Sequence, residues 1–117
     1  MAVIAISKRT TQNFAVTPTT MTSSDTLAYV KGNGHGITFT NPTGSPVVVT
    51  MLGNGGVTST PGPVGYGGSI SLASGYALTV PANSIQHLVL DNIYLFLQGT
   101  SVALTGGTGL TASVLSN

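Results

Sequence analysis

Residues 85–115 read IQHLVL, DN, IYLFLQ, GT, SVALT, GGTG, LTASVL: apolar runs at Ile85–Leu90, Ile93–Gln98, Ser101–Thr105 and Leu110–Leu115, divided by short polar or glycine breaks. Runs this short, rich in Val, Ile, Leu and Thr and bounded by Gly, Asn and Asp, predict strands rather than helices. In Ile93–Gln98 the alternation puts Ile93, Leu95 and Leu97 on one face and Tyr94 and Phe96 on the other. A strand apolar on both faces is expected to be central, or held between the core and a partner chain. Gly106-Gly107-Thr108-Gly109 supplies the positive-φ positions of a tight reversal and predicts a hairpin. Asp91-Asn92 reads as a two-residue turn, or as a bulge in one longer strand.

Outward from this region the same texture continues. Further strands are expected at Val3–Ser7, Thr26–Val30, Gly36–Thr40, Val47–Leu52, Ser69–Ala73 and Tyr76–Val80, with Ile37 and Phe39 sharing a face. Gly32-Asn33-Gly34-His35-Gly36 reads as a hairpin turn, with His35 exposed in it, and Ser74-Gly75 breaks another pair of strands. No stretch keeps apolar residues at the helical period, and Glu, a strong helix former, is absent. The fold class is therefore all-β: an antiparallel β-sandwich or jelly roll of about eight or more short strands, with a closed barrel as the second choice. The short links after Ser69 favour antiparallel neighbours in that half.

The 117 residues fit one β domain. Residues 1–25 read as a strand plus a polar extended arm, and 26–117 as the sandwich core. Lys8–Asp25 is Thr-rich, with Phe14, Ala15, Val16 and Met21 as its apolar anchors. It reads either as an arm lying on a neighbouring subunit or as a peripheral strand with loops. Gly53–Gly68, with Pro61, Pro63 and many glycines, is too long for a routine connection. It reads either as a contact loop, offering Val57, Val64 and Tyr66 to another surface, or as a mobile excursion.

Charge bounds the function. Charged residues are 4% of the chain: Lys8, Arg9 and Lys31 against Asp25 and Asp91. An ordinary domain carries about 25%, so the surface is left to Thr, Ser, Asn and Gly, or is covered in an assembly. Three cations and a net charge of +1 do not make a nucleic-acid footprint, which draws on several phosphate-neutralising side chains. Lys8 and Arg9 read as a solvated start of the chain. With no Cys there is neither a disulfide nor a thiolate metal site. Mean hydropathy is +0.39, but no segment approaches the apolar length of a membrane helix. Met1–Ser7 is apolar but short, and the positive charges follow it rather than precede it, unlike a signal peptide. The Asn41-Pro42-Thr43 sequon is disabled by its proline.

Motifs for chemistry are missing too. Asp25 and Asp91 lie far apart in the sequence, and Asp91 reads as a turn former rather than half of an acid–base pair. His35, His87 and the two aspartates fall short of a supported metal site, although His87 and Asp91 are near enough along the chain to converge. The Gly-x-Ser-x-Gly nucleophile turn is absent, and the glycines at 32–36 lack the Lys-Ser/Thr ending of a phosphate loop. The sequence thus assigns no catalytic, cofactor-binding or metal-binding residue, and the chain reads as a non-enzymatic binding or structural protein.

Three segments, Val80-Pro81-Ala82-Asn83-Ser84, Leu88-Val89-Leu90-Asp91-Asn92-Ile93-Tyr94-Leu95 and Gly106-Gly107-Thr108-Gly109-Leu110-Thr111-Ala112, resemble the endings of small tailed-phage virion proteins, nearest the capsid decoration or cement type. The likeness covers about a third of the chain and is one of Thr/Gly texture. It implies a sandwich or jelly-roll module that forms a homo-oligomer, a dimer or trimer, on the outer capsid surface. The partners it implies are the major capsid protein or other virion subunits, with no nucleic acid and no membrane. The candidate protein-contact residues are Phe14, Val16, Met21, Val57, Val64, Tyr66, Tyr94 and Phe96. Two alternative functions stand beside it: a tail, baseplate or head–tail joining component, and a carbohydrate-binding or adhesin-like module stacking sugars on Tyr29, Tyr66, Tyr76 or Tyr94.

Overall fold

The computed structural model describes residues 1–9, 15–32, 34–56, 59–61 and 69–116. The strands are β1 (Ala2–Val3), β2 (Ile6–Lys8), β3 (Thr19–Thr20), β4 (Ser24–Ala28), β5 (Gly36–Asn41), β6 (Val47–Gly53), β7 (Ser59–Pro61), β8 (Ser69–Ser71), β9 (Tyr76–Val80), β10 (Ser84–Val89), β11 (Ser101–Thr105) and β12 (Thr111–Ser116), with a 3-10 segment at Leu90–Phe96. One sheet runs β1-β4-β11-β6-β9. The other runs β10-β5-β12-β2, with β3 also on β12, and β7 and β8 pair with each other.

These pairings nest. β4 pairs antiparallel with β11, β5 with β10, β6 with β9 and β7 with β8. The described strands from β4 to β11 therefore pair in nested order, with successive pairs in the first sheet, the second and the first again. The result is a β-sandwich of two mixed sheets, with nested pairing of the kind a jelly roll uses. Within the long stretch Gly53–Gly68, the described segment Ser59–Pro61 is β7, paired with β8.

Period-two alternation builds the core between the layers. Leu27, Ile37, Phe39, Val49, Met51, Val80, Val102, Leu104, Ala112 and Val114 all point inward and are buried. The residues between them face out: Thr26, Thr38, Thr40, Val48, Thr50, Ala103 and Thr105 are exposed or half-buried.

Several expectations need correction. Ile93–Gln98 is not a strand, and Asp91-Asn92 is not a two-residue turn; both belong to the 3-10 segment and its exit. Leu90, Ile93, Tyr94 and Leu97 are spaced three and four apart, so this run fits a helical period as well as a strand period, an ambiguity inherent in short apolar runs. Leu90 and Leu97 are fully buried with Ile93 and Tyr94 packed beside them, whereas Leu95, on the same face as Leu97 by the strand reading, is 37% exposed.

Gly106–Gly109 reverses the chain, with φ of +83° at Gly106 and +97° at Gly109. The strands it joins do not form a hairpin, because β11 and β12 lie in opposite sheets. The turn between β4 and β5 likewise crosses from one layer to the other rather than closing a hairpin. The strand expected at Val3–Ser7 is split in two at Ile4, whose side chain is buried. Its halves pair parallel, β1 with β4 and β2 with β12, so both sheets are mixed. Of the arm expected over Lys8–Asp25, the described part after residue 14 folds onto its own chain: β3 pairs with β12, and Met21 N–H donates to Leu110 O at 3.0 Å.

Candidate functional site

One end of the sandwich gathers Tyr29, Lys31, His35, Asp91 and Tyr94. There the β4–β5 connection meets the 3-10 segment. Tyr29 is buried, and its hydroxyl donates to an Asp91 carboxylate oxygen. Gly32 N–H reaches both oxygens of the same carboxylate at 3.3 Å. Lys31 places its Nζ 3.6 Å from the centre of the Tyr94 ring, a cation–π contact at the surface. His35 stacks against Tyr29 with ring centres 5.5 Å apart, and its carbonyl accepts from Leu90 N–H at 3.0 Å.

The expectation of an exposed His35 is overturned: the residue is 4% exposed, and its Nδ1 has no hydrogen-bond partner among the described residues. Its flanking glycines suggested a loop in solvent, but the crossing between layers carries the ring inward. Burial lowers the His35 pKa, with the Asp91 charge opposing. The Asp91 carboxyl is held below its ordinary value, first by the Tyr29 hydroxyl, then by Gly32 N–H and the nearby His35 and Lys31, against desolvation. The Tyr29 hydroxyl is pushed above its ordinary value by burial, then by the bond to Asp91 and its charge. Asp91 thus does more than form a local turn. It bonds the ends of two elements together.

His87 does not join this cluster. It sits on the outer face of β10, with Nδ1 2.9 Å from Thr38 Oγ1. Among the described residues no three His, Cys, Asp or Glu side chains gather as a metal-holding group, and no cavity opens. Asp25, fully buried at the other aspartate position, accepts from Ala2 N–H at 3.1 Å and from Thr22 N–H at 2.9 Å and Oγ1 at 2.6 Å. It fastens β1 to β4.

The candidate contact residues separate. Phe14, Val57, Val64 and Tyr66 lie outside the described residues. Val16 is exposed, at 43%. Met21 is not at the surface: it is 2% exposed, seated in the core against Gly107. Tyr94 and Phe96 are half-buried, Tyr94 beneath Lys31 and Phe96 against Tyr76 at 5.7 Å. Neither belongs to a free aromatic strand face.

Sequence reasoning missed the surface that is most open. Val3, Val30, Val48, Ile85 and Val89 are each more than two-fifths exposed. Across the first sheet the outward row Val3–Thr26–Ala103–Leu52 runs over four strands. Across the second, Ile85–Thr40–Thr111–Thr20 does the same. No charged side chain stands on the outward positions of β4, β5, β6, β9, β10, β11 or β12. The alternation that located the strands carried this signal, since the residues between the core positions are Thr, Ser, Ala and Val. The chain matches no known protein family, no curated protein and no solved structure.

Proposed function

We propose that this chain is a non-enzymatic structural protein of a tailed-phage virion that binds the outside of the capsid as a decoration or cement protein. The observation that carries the reading is the absence of charge from the outward positions of β4, β5, β6, β9, β10, β11 and β12. Of five charged side chains Asp25 is buried, which leaves four on an accessible surface of 6317 Å². Lys8 and Arg9 lie at the N-terminal edge, and Lys31 and Asp91 at one end. A free domain usually spreads charge over its surface. A surface of Thr, Ser and isolated aliphatics suits broad neutral contact with other protein subunits, as the cores of protein interfaces are depleted in charge.

Jelly rolls serve both in viral shells and in lectins, so the fold alone does not choose between them. Three of the four tyrosines favour the first, Tyr66 lying outside the described residues. Tyr29 is buried, Tyr76 packs on Phe96, and Tyr94 lies under Lys31, which leaves none of these three rings free to stack on a sugar.

The experiment is co-sedimentation of the purified protein with empty capsids at low and high salt. Stoichiometric binding that survives high salt is expected, because there is little Coulombic attraction to screen. Absence of binding, or its steep loss with salt, overturns the reading.

A further inference from the structure

We propose that the Met1–Ala2 peptide bond is a processing site, whose hydrolysis frees an α-ammonium on Ala2 that becomes the counter-charge of the buried Asp25 carboxylate.

Asp25 is 0% exposed. Its carboxylate accepts from Thr22 N–H, at 2.9 Å to one oxygen and 3.2 Å to the other, from Thr22 Oγ1 at 2.6 Å and from Ala2 N–H at 3.1 Å. Each of these donors is neutral. A buried carboxylate is costly without a cation, and buried charges are ordinarily paired. The chain has three cationic side chains, Lys8, Arg9 and Lys31. None of them is among these donors: Lys8 ends β2 and Arg9 follows it, in the other sheet, while Lys31 lies over the Tyr94 ring at 3.6 Å.

The nitrogen of Ala2 is already seated where that cation is needed. Ala2 opens β1 and stands opposite Asp25 in the parallel pair with β4. Two residues on, the buried Ile4 side chain and the bond from Ile4 N–H to Thr26 O at 2.9 Å hold the strand in place. Removing the residue before Ala2 leaves all of this register intact. Met1 is 84% exposed and contributes only the acyl group on that nitrogen. When water adds across the Met1–Ala2 bond, the carboxyl group departs with methionine and the amine stays on Ala2. An α-amine is mostly protonated at neutral pH. The neutral N–H···O bond thus becomes a charge-assisted one, roughly twice as strong. The sequence suits the reaction, because aminopeptidases that remove a leading methionine need a small residue after it, and alanine is small.

The test is to produce the 117-residue chain in cells with their methionine aminopeptidase active, and again with it inhibited. Intact mass should show Met1 absent from the first product, and its retention there overturns the processing. The processed protein should melt about 4 °C or more above the Met1-bearing form. In Asp25→Asn the two forms should differ by less than about 1 °C. Equal melting temperatures in the wild type, or the same rise in Asp25→Asn, overturn the pairing. A second readout needs no variant: an amine-reactive ester added to folded protein, followed by peptide mapping. The α-amine of Ala2 should react about tenfold more slowly than the α-amine of Met1 in the unprocessed form, because it is held against Asp25. Equal rates overturn the proposal.

Discussion

Tyr29→Phe removes one oxygen from a buried ring and leaves the ring's packing in place. That oxygen donates to Asp91, so the variant isolates the bond that ties the β4–β5 connection to the 3-10 segment. A hydrogen bond to a charged group contributes about 1.5–3 kcal/mol when buried. Asp91 is only half-buried and regains water once Tyr29 loses its hydroxyl, so the cost belongs near the lower end, about 1–2 kcal/mol. For a chain of this length that lowers Tm by about 4–8 °C. The sign with pH follows from the carboxyl. Its pKa in the folded protein is depressed, so its contribution is present above the ordinary carboxylate range and is lost as pH falls through the depressed value. In Tyr29→Phe the largest cause of the depression is gone, and the gap between wild type and variant should narrow in acid. Thermal unfolding at pH 7 and in strong acid, with Asp91→Asn and the double variant completing the cycle, measures it. A gap under about 0.5 kcal/mol at pH 7, an unchanged gap in acid, or additivity in the cycle would refute the coupling.

Two further outcomes are expected. Asn41 is 1% exposed and donates to Ser45 O at 2.9 Å, Val80 O at 3.0 Å and Pro81 O at 3.2 Å while accepting from Thr43; Asn41→Asp sets a carboxylate against three carbonyls and should cost about 2–4 kcal/mol at neutral pH in denaturant unfolding, relieved in acid as the carboxyl protonates and donates again. Because burial lowers the His35 pKa, the unfolded chain takes up this proton first, so wild type should lose stability as pH falls below about 6.5; His35→Phe should flatten that part of the stability–pH curve, and a curve that keeps its slope would refute the assignment.

Much of the fold was legible because strand periodicity and turn chemistry are local. The strands at Gly36–Asn41, Tyr76–Val80 and Ser101–Thr105 follow from β-branched runs between breakers, and the scarcity of charge follows from composition alone. Where a run satisfied two periods, as at Leu90–Leu97, local pattern could not choose. Burial of Leu90 and Leu97, with the anchoring of Asp91 to Tyr29, made the choice.

What the sequence determined by itself was therefore the β class, the near absence of surface charge and the lack of any motif for catalysis. What only the tertiary structure decided was which strands pair, that successive nested pairs alternate between layers, and that His35 is buried while Ile85 and Val89 are exposed. The physical reason is that a strand's alternation says which residues share a face, but not which face meets the core. That depends on partners distant in sequence, and one residue of register reverses the answer.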